Sequence, residues 1–317
     1  MMRFLLLGLL FCMVLPARAW RGEWSCLFWN VENLFDCHHD TLKNDYEFLP
    51  DSERGWSPWR YWRKLDALSR VLAAVADDEG DWPMLVGLAE VENDSVMRDL
   101  SRRSPLRAAG YQYVLTNSPD ERGVDVALLY QPERFRLLEW HAVGIPSREY
   151  GFRPTRDILY AAGLVATGDT LHVLVVHLPS RAGNRRGNNA HRRLAVERLR
   201  QAVDSLAGKP LLVMGDFNSE ASDRIFRLLC PPLTSLMPRG RAMRRARGTY
   251  VFQGRWSFLD HILCSEALLP WVDGRAEVVA YPFILDDKRR PWRTFLGPVY
   301  RGGYSDHLPI RVRGEMD

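Results

Sequence analysis

The feature that most constrains the fold is a short apolar run, residues 211–214, that is followed by Gly215, Asp216 and Asn218. The run predicts a buried strand, and Gly215 lets the backbone turn without a Cβ penalty. Asp216 and Asn218 are two residues apart, so in extended chain their side chains point to the same side. An anionic oxygen beside an amide suits a hard cation such as Mg²⁺, or a phosphate held next to one. Taken alone, the segment is equally typical of a simple Asp/Asn turn after a strand.

Other apolar strands of the chain carry polar residues in the same way. Polar groups at the end of a buried strand need partners, and a carboxylate there is costly to bury unless a cation satisfies it. The residues at or near a strand end are Asn30 near the end of the strand 25–31, Glu90 after 84–89, His177 after 171–176, Asp260 inside 256–264, and Asp306 and His307 before the final strand.

The donor atoms of this set indicate the cation and the chemistry. Carboxylate and amide oxygens with two histidines, and no CxxC pair, favour Mg²⁺ over zinc, with Mn²⁺ or Ca²⁺ as alternatives. A hard cation beside histidines suits hydrolysis of a phosphate ester, because a base activates water and charged donors stabilise the developing negative charge.

The N-terminus predicts export. Arg3 precedes a short apolar stretch, and Ala17, Arg18 and Ala19 form a small-x-small cleavage site. Residues 1–19 are therefore interpreted as a signal peptide, with an uncleaved N-terminal anchor as the alternative. We expect a periplasmic or extracellular protein in which residues 20–317 form a single catalytic domain, since no repeat or linker divides them.

Charge and cysteine content add less. Loss of Arg3 and Arg18 leaves 41 basic against 39 acidic residues, so the net charge does not identify a partner. Three local arginine groups, near residues 181–193, 239–247 and 288–293, suit either a solvated surface or a polyanion. The mature chain keeps four cysteines, whose pairing the sequence leaves open.

Helices are predicted from Ser57 to Gly80 and over residues 189–206.

Seven segments of the chain together resemble the endonuclease/exonuclease/phosphatase superfamily. This superfamily includes pancreatic-type deoxyribonuclease, abasic-site endonucleases, bacterial sphingomyelinases and inositol polyphosphate 5-phosphatases, and the chain looks like an exported bacterial-type member. The segments occur in the family order from about Cys26 to Ile310 and read FWNVEN, LAEVEN, RGVDVALLY, HLPSR, GDFNS, LDHIL and SDHLPI. The resemblance implies a four-layer α/β sandwich, with two central mixed β-sheets flanked by helices.

The resemblance also implies a role for each site residue. Asn30, Glu90 and Asp306 would lie at the metal, with Glu90 the main ligand. Asp216 would orient or activate water, His307 would contact the phosphate and pair with Asp260, and His177 would donate to the phosphate or the leaving group. Phosphate contacts are implied for Asn218, Arg122 and Arg181, and Asp125 is a candidate to orient His177. Many members have Gln before the metal-binding Glu, where this chain has Ala89, and this removes one supporting hydrogen bond.

The sequence leaves the substrate open. The leading prediction is a monomeric, metal-dependent phosphodiesterase that acts as a nuclease on DNA or RNA. A phospholipid or inositol phosphate hydrolase is the alternative, although only Trp56, Trp59 and Trp62 offer an exposed apolar surface in the sequence. The third alternative is an inactive phosphate-binding module, and the sequence argues against it because such a module has no chemical need for His177, His307 and Glu90.

Overall fold

A computed structural model describes residues 22–180 and 185–316 of the chain. The predicted signal peptide and Arg181 lie outside the described residues. The described residues form sixteen strands and four α-helices. In chain order they are β1 (Glu23–Leu34), α1 (Pro58–Glu79), β2 (Leu85–Val91), α2 (Asp94–Arg98), β3 (Gln112–Leu115), β4 (Asp125–Tyr130), β5 (Arg136–Val143), β6 (Ile158–Leu164), β7 (Thr170–His177), α3 (Arg185–Asp204), β8 (Leu211–Asp216), β9 (Thr234–Ser235), α4 (Gly240–Ala246), β10 (Tyr250–Phe252), β11 (Arg255–Ser257), β12 (Asp260–Cys264), β13 (Val272–Val278), β14 (Phe295–Leu296), β15 (Val299–Tyr300) and β16 (Ile310–Glu315).

Two six-stranded mixed sheets form the centre of the fold. The first has the order β13-β16-β1-β2-β4-β3 and the second β5-β6-β7-β8-β12-β9. Each contains one central parallel pair, β1 with β2 and β7 with β8, among antiparallel neighbours. The strands of each parallel pair therefore end at the same sheet edge, and these ends carry the candidate site residues.

Three apolar clusters place the layers of the fold. Phe28 and Leu128 of the first sheet share one buried cluster with Val175 and Met214 of the second, so the sheets pack face to face. A second cluster joins the outer face of the first sheet to α1, and a third joins the outer face of the second sheet to α3. The result is the four-layer α/β sandwich that the resemblance implied.

The first predicted helix forms with both of its expected end signals. The Ser57 side chain accepts a hydrogen bond from the Arg60 amide, Pro58 occupies the first turn, and Gly80 ends α1 in the left-handed region. The segment 256–264, predicted as one strand, is instead divided between β11 and β12. The chain leaves strand geometry at Phe258 and Leu259, and the Leu259 carbonyl accepts a hydrogen bond from the Phe217 amide.

The structure also shows the state of the four cysteines and the character of the helices. Cys26, Cys37, Cys230 and Cys264 are all free thiols, and Cys26 and Cys264 are buried. Among the described residues, no helix combines the length and the apolar character that a membrane span requires.

Candidate active site

Three site residues of the second sheet lie side by side in register. His177 at the end of β7 is paired with Asp216 at the end of β8, and Asp216 is paired with Asp260 at the start of β12. All three side chains are buried. Gly215 is required directly before Asp216, since a Cβ there would lie 2.2 Å from the Val176 carbonyl oxygen.

The first sheet delivers Asn30 and Glu90 to the same place. The Asn30 Nδ2 donates to Asp216 Oδ2 at 3.0 Å, which joins the two sheets through their site residues. The β1–β2 register shifts just after Asn30, and Glu90 has a φ of 64°. Such a backbone conformation is strained for a residue other than glycine and is concentrated at functional sites. The Asn33 amide donates to Glu90 Oε2 at 2.9 Å and fixes the carboxylate.

His307 and Asp260 form a buried pair. The His307 Nδ1 lies 2.8 Å from Asp260 Oδ2, while Nε2 points toward Asp216 Oδ2 at 3.9 Å. Burial lowers the pKa of His307, but the charges of Asp260, Asp216 and Asp306 outweigh it, so the pKa lies well above its ordinary value. The imidazolium is therefore favoured, and its Nε2–H is directed toward the cleft.

His177 has the opposite electrostatic environment. Its Nε2 lies 3.7 Å from Asp216 Oδ2 and 3.9 Å from Glu90 Oε1. Burial, and then the charges of Arg156, Arg122 and His307, hold the pKa of His177 well below its ordinary value. The neutral imidazole is favoured, so two histidines that share one cleft differ in their preferred protonation state.

Asp125 does not contact His177. The Asp125 Oδ1 accepts hydrogen bonds from Thr116 Oγ1 at 2.6 Å and from the Ser118 amide at 2.9 Å. His177 Nδ1 is buried and has no hydrogen-bond partner among the described residues. No contact between the described residues therefore supports the predicted role of Asp125 in orienting His177. Asp125 lies at the start of β4, and its carboxylate is directed into the adjacent turn.

Asp216 lies at the centre of the cleft, and its surroundings shift its pKa strongly. Burial and the neighbouring charge of Asp260 raise the pKa of Asp216 to about 7, although His307, Asn218 and Asn30 act in the opposite direction. A carboxylate of this pKa can both hold and release a proton near neutral pH, as a general base must.

The remaining predicted residues lie around the cleft. Asp306 Oδ2 accepts a hydrogen bond from Arg293 at 2.8 Å, and Arg122 lies 3.8 Å from Glu90 Oε2. Asn218 has a φ of 49°, and its Nδ2 donates to the Leu178 carbonyl at 2.9 Å. These side chains line a single cleft with Asn30, Glu90, His177, Ser180, Asp216 and His307.

Three residues at the site were missed by the sequence analysis. The buried Arg156 donates to the carbonyl oxygens of His177 and Leu178 and pairs with Asp120 at 3.2 Å. Arg293 pairs with Asp306, and the ring of Tyr250 lies 4.7 Å from that of His307. None of the three follows an apolar run that would have marked it, although Arg293 belongs to an arginine group seen in the sequence.

The donor atoms fit a divalent cation. Asp216, Asp260 and His307 each offer one ligand atom, and these atoms lie within 4.8 Å of one another. The second oxygen of Asp260, Oδ1, is buried without a hydrogen-bond partner among the described residues, and the pKa of Asp216 is raised by burial and by a like charge. A cation beside these carboxylates would offset both costs. Carboxylate oxygens are donors of the kind that hard divalent cations prefer.

The model of the family described as Endonuclease/Exonuclease/phosphatase family matches residues 25–315. No protein of curated function matches the chain by sequence. Among solved structures, D. rerio TDP2 complexed with a single-strand DNA product is 17% identical, with a TM-score of 0.59 over 93% of this chain and 99% of that one.

Two other structures share the fold at similar distance. The catalytic domain of human Nocturnin with a bound sulfate anion is 18% identical, with a TM-score of 0.54 over 92% of this chain and 93% of that one. A mannosyl-6-phosphatase from Bacteroides thetaiotaomicron is 16% identical, with a TM-score of 0.55 over 91% of this chain and 98% of that one. At these identities the likeness concerns the fold.

Proposed function

Because the chain belongs to the endonuclease/exonuclease/phosphatase family, we propose that it is an exported, divalent-metal-dependent phosphodiesterase that acts on DNA or RNA. The observation that carries this proposal is the pair of buried histidines, His177 and His307, whose environments shift their pKa values in opposite directions at one cleft. Titratable pairs of this kind identify acid and base positions. We further propose that residues 20–317 act as one catalytic domain and as a monomer.

The chain's own residues supply a complete set of roles. Asp216 orients the attacking water and accepts its proton, which suits a carboxylate with a pKa of about 7. His307 is a protonated donor to a phosphate oxygen, and Asp260 holds its ring through Nδ1. His177 is neutral, and its Nε2 faces the cleft, where its N–H can donate a hydrogen bond to the phosphate or to the leaving-group oxygen.

We assign the metal ion to Glu90, Asn30 and Asp306. The group formed by Asp216, Asp260 and His307 is the less suitable set, because a protonated imidazole has no lone pair to offer a metal. When bound, the ion would polarise a phosphoryl oxygen and balance the carboxylate charge of the cleft. We assign phosphate contacts to Asn218 and Arg122, which both line the same cleft. Arg122 also donates to Asn33 Oδ1 at 2.6 Å, which holds its guanidinium at the rim.

A nucleic acid substrate is supported by one structural neighbour, which holds a single-strand DNA product. A second neighbour holds a sulfate anion, which resembles phosphate in charge and shape and supports a phosphate site in general. The phosphatase neighbour acts on a sugar phosphate and keeps small phosphoesters among the substrates to be tested.

A phospholipid hydrolase is the second candidate, because the β14–β15 hairpin exposes two apolar side chains. Leu296 and Val299 are partners in register and are 56% and 57% exposed. Of the tryptophans considered in the sequence, Trp56 is buried, whereas Trp59 and Trp62 are exposed. The hairpin therefore adds a second exposed apolar feature to Trp59, which is 61% exposed.

The deciding experiment is hydrolysis by the purified mature protein with Mg²⁺ on plasmid DNA, RNA, sphingomyelin, inositol phosphates and mannose 6-phosphate in parallel. We expect cleavage of a nucleic acid that excess EDTA abolishes. Activity confined to lipid or small phosphoesters would replace the proposed substrate, and no hydrolysis of any of them would indicate a binding module. Export is tested separately by N-terminal sequencing of the secreted protein, which we expect to begin at Trp20.

A further inference from the structure

The β10–β11 hairpin has one face whose distal residues the proposed mechanism does not use. Tyr250 is paired with Ser257, and Phe252 is paired with Arg255. Cross-strand partners lie on the same face of a hairpin, and alternate residues of a strand share a face, so these four side chains belong together. Trp256, on the other face, packs against the core cluster of the first sheet. The face with Phe252 and Arg255 is therefore the outward one.

This outward face begins at the candidate active site. Tyr250 lines the cleft, with its ring 4.7 Å from the ring of His307. Phe252 lies two residues farther along the strand, about 7 Å away, and is 60% exposed. Phe252 therefore offers a solvated aromatic ring close to the candidate active site.

Exposed arginines lie close to the same hairpin in the sequence. Arg239, Arg241, Arg245 and Arg247 on and around α4 are exposed, and so is Arg255. None of the five forms an ion pair with a carboxylate among the described residues, whereas Arg98, Arg103, Arg193, Arg200 and Arg290 each pair with an acid four residues away. Unpaired guanidinium groups on one surface leave a positive potential that suits a polyanion.

The arginine segment is fixed to the base of the hairpin. Gly248 follows Arg247 directly, and a Cβ at Gly248 would lie 2.6 Å from the Ser257 carbonyl oxygen. The Thr249 amide donates to that same oxygen at 2.9 Å. The backbone at Arg247 is therefore held close to the base of the hairpin.

We propose that Phe252, Arg255, Arg245 and Arg247 form a binding surface for single-stranded nucleic acid that leaves the cleft past Tyr250. Phe252 stacks on an unpaired base, and the arginines contact backbone phosphates, the combination that proteins use to bind single strands without sequence preference. The inference rests on the proposed function, because it names the substrate class of the same site.

The composition of the surface favours a nucleic acid over a membrane. Binding to a lipid interface scales with buried apolar area, and here a single exposed ring accompanies several cations. One ring is sufficient to stack one base, and each guanidinium can neutralise one phosphate. An anionic membrane is therefore the alternative that the experiment must separate.

The first test measures binding without catalysis. The anisotropy of a fluorescein-labelled oligothymidine is followed in EDTA with the wild-type protein, Phe252→Ala and Arg255→Ala. We expect each variant to bind about tenfold more weakly, and Arg255→Ala to lower the slope of log Kd against log salt by about 0.7. The matched controls are Tyr150→Ala, an aromatic that is 62% exposed elsewhere, and Arg136→Ala, an exposed arginine on β5.

The second test measures selectivity. The ratio of kcat/KM for the oligonucleotide to kcat/KM for bis(p-nitrophenyl) phosphate should fall about tenfold in Phe252→Ala and stay unchanged in both controls. Unchanged oligonucleotide binding in both hairpin variants overturns the proposal, as does an equal loss on the two substrates. Binding to phosphatidylserine vesicles that depends on Phe252, without oligonucleotide binding, also overturns it. If oligonucleotide binding depends on Phe252 but the wild-type protein hydrolyses neither substrate, the proposed function fails while this surface stands.

Discussion

Replacement of Asp260 by Asn tests the assignment of the histidine partner most directly. The Asp260 carboxylate lies 2.8 Å from His307 Nδ1, and both side chains are buried. Asn keeps the shape but removes the charge. A pair of unit charges near 4 Å at an effective dielectric constant of about 20 interacts by about 4 kcal/mol. Allowing for partial compensation, we expect the protonated His307 to lose about 2–4 kcal/mol, which is about 30- to 1000-fold in turnover.

The pH profile of the same variant is an independent test of the Asp260–His307 pair. The Asp260 charge helps to hold the pKa of His307 well above its ordinary value against the effect of burial. A donor that must be protonated loses activity as pH rises through its pKa. Removal of the Asp260 charge lowers that pKa, so the alkaline limb of the rate profile should move to lower pH.

The assay combines turnover on the best nucleic acid substrate with a Mg²⁺ titration of Asp260→Asn and Asp306→Asn. We expect Asp260→Asn to lose turnover with nearly unchanged metal affinity, and Asp306→Asn to weaken metal affinity. A loss of metal affinity in Asp260→Asn would refute the reasoning, because it would place the ion at the group formed by Asp216, Asp260 and His307. Thermal unfolding of both variants checks that the fold is kept.

Three further predictions concern the metal and the buried charges. Glu90→Ala should remove most of the activity and weaken binding of Mn²⁺ measured by calorimetry, whereas an unchanged titration would exclude Glu90 as a ligand. Lys64→Ala should lower the free energy of unfolding by about 3 kcal/mol in urea, because Lys64 is buried and its Nζ donates to Thr294 Oγ1 at 2.5 Å beside the buried Glu32. Burial, and then the charges of nearby acids, raise the pKa of Glu92 from 4.5 to about 8. The folded protein therefore favours the protonated form of Glu92, so the contribution of Glu92 to stability is present below pH 4.5 and is lost as pH rises to about 8. Glu92→Gln should therefore be more stable than the wild type at pH 9 in EDTA, and equal stability there would contradict the shift.

The sequence by itself determined the local features of this protein. Apolar runs of strand length, each beside a polar residue, were sufficient to identify Asn30, Glu90, His177 and Asp216 as site candidates, because a buried strand end imposes a polar requirement that is visible locally. The ends of α1 were readable for the same reason, since helix caps depend on a few adjacent residues.

Only the tertiary structure decided how these residues are used. The opposite pKa shifts of His177 and His307 arise from burial and from charges that distant strands bring near, so no local pattern could assign them. Asp125 lies at a strand end like the others, yet its carboxylate is bound by the adjacent turn rather than by His177. The outward face of Phe252 and Arg255 exists only because β10 pairs with β11 in one register, and register is a property of the folded sheet.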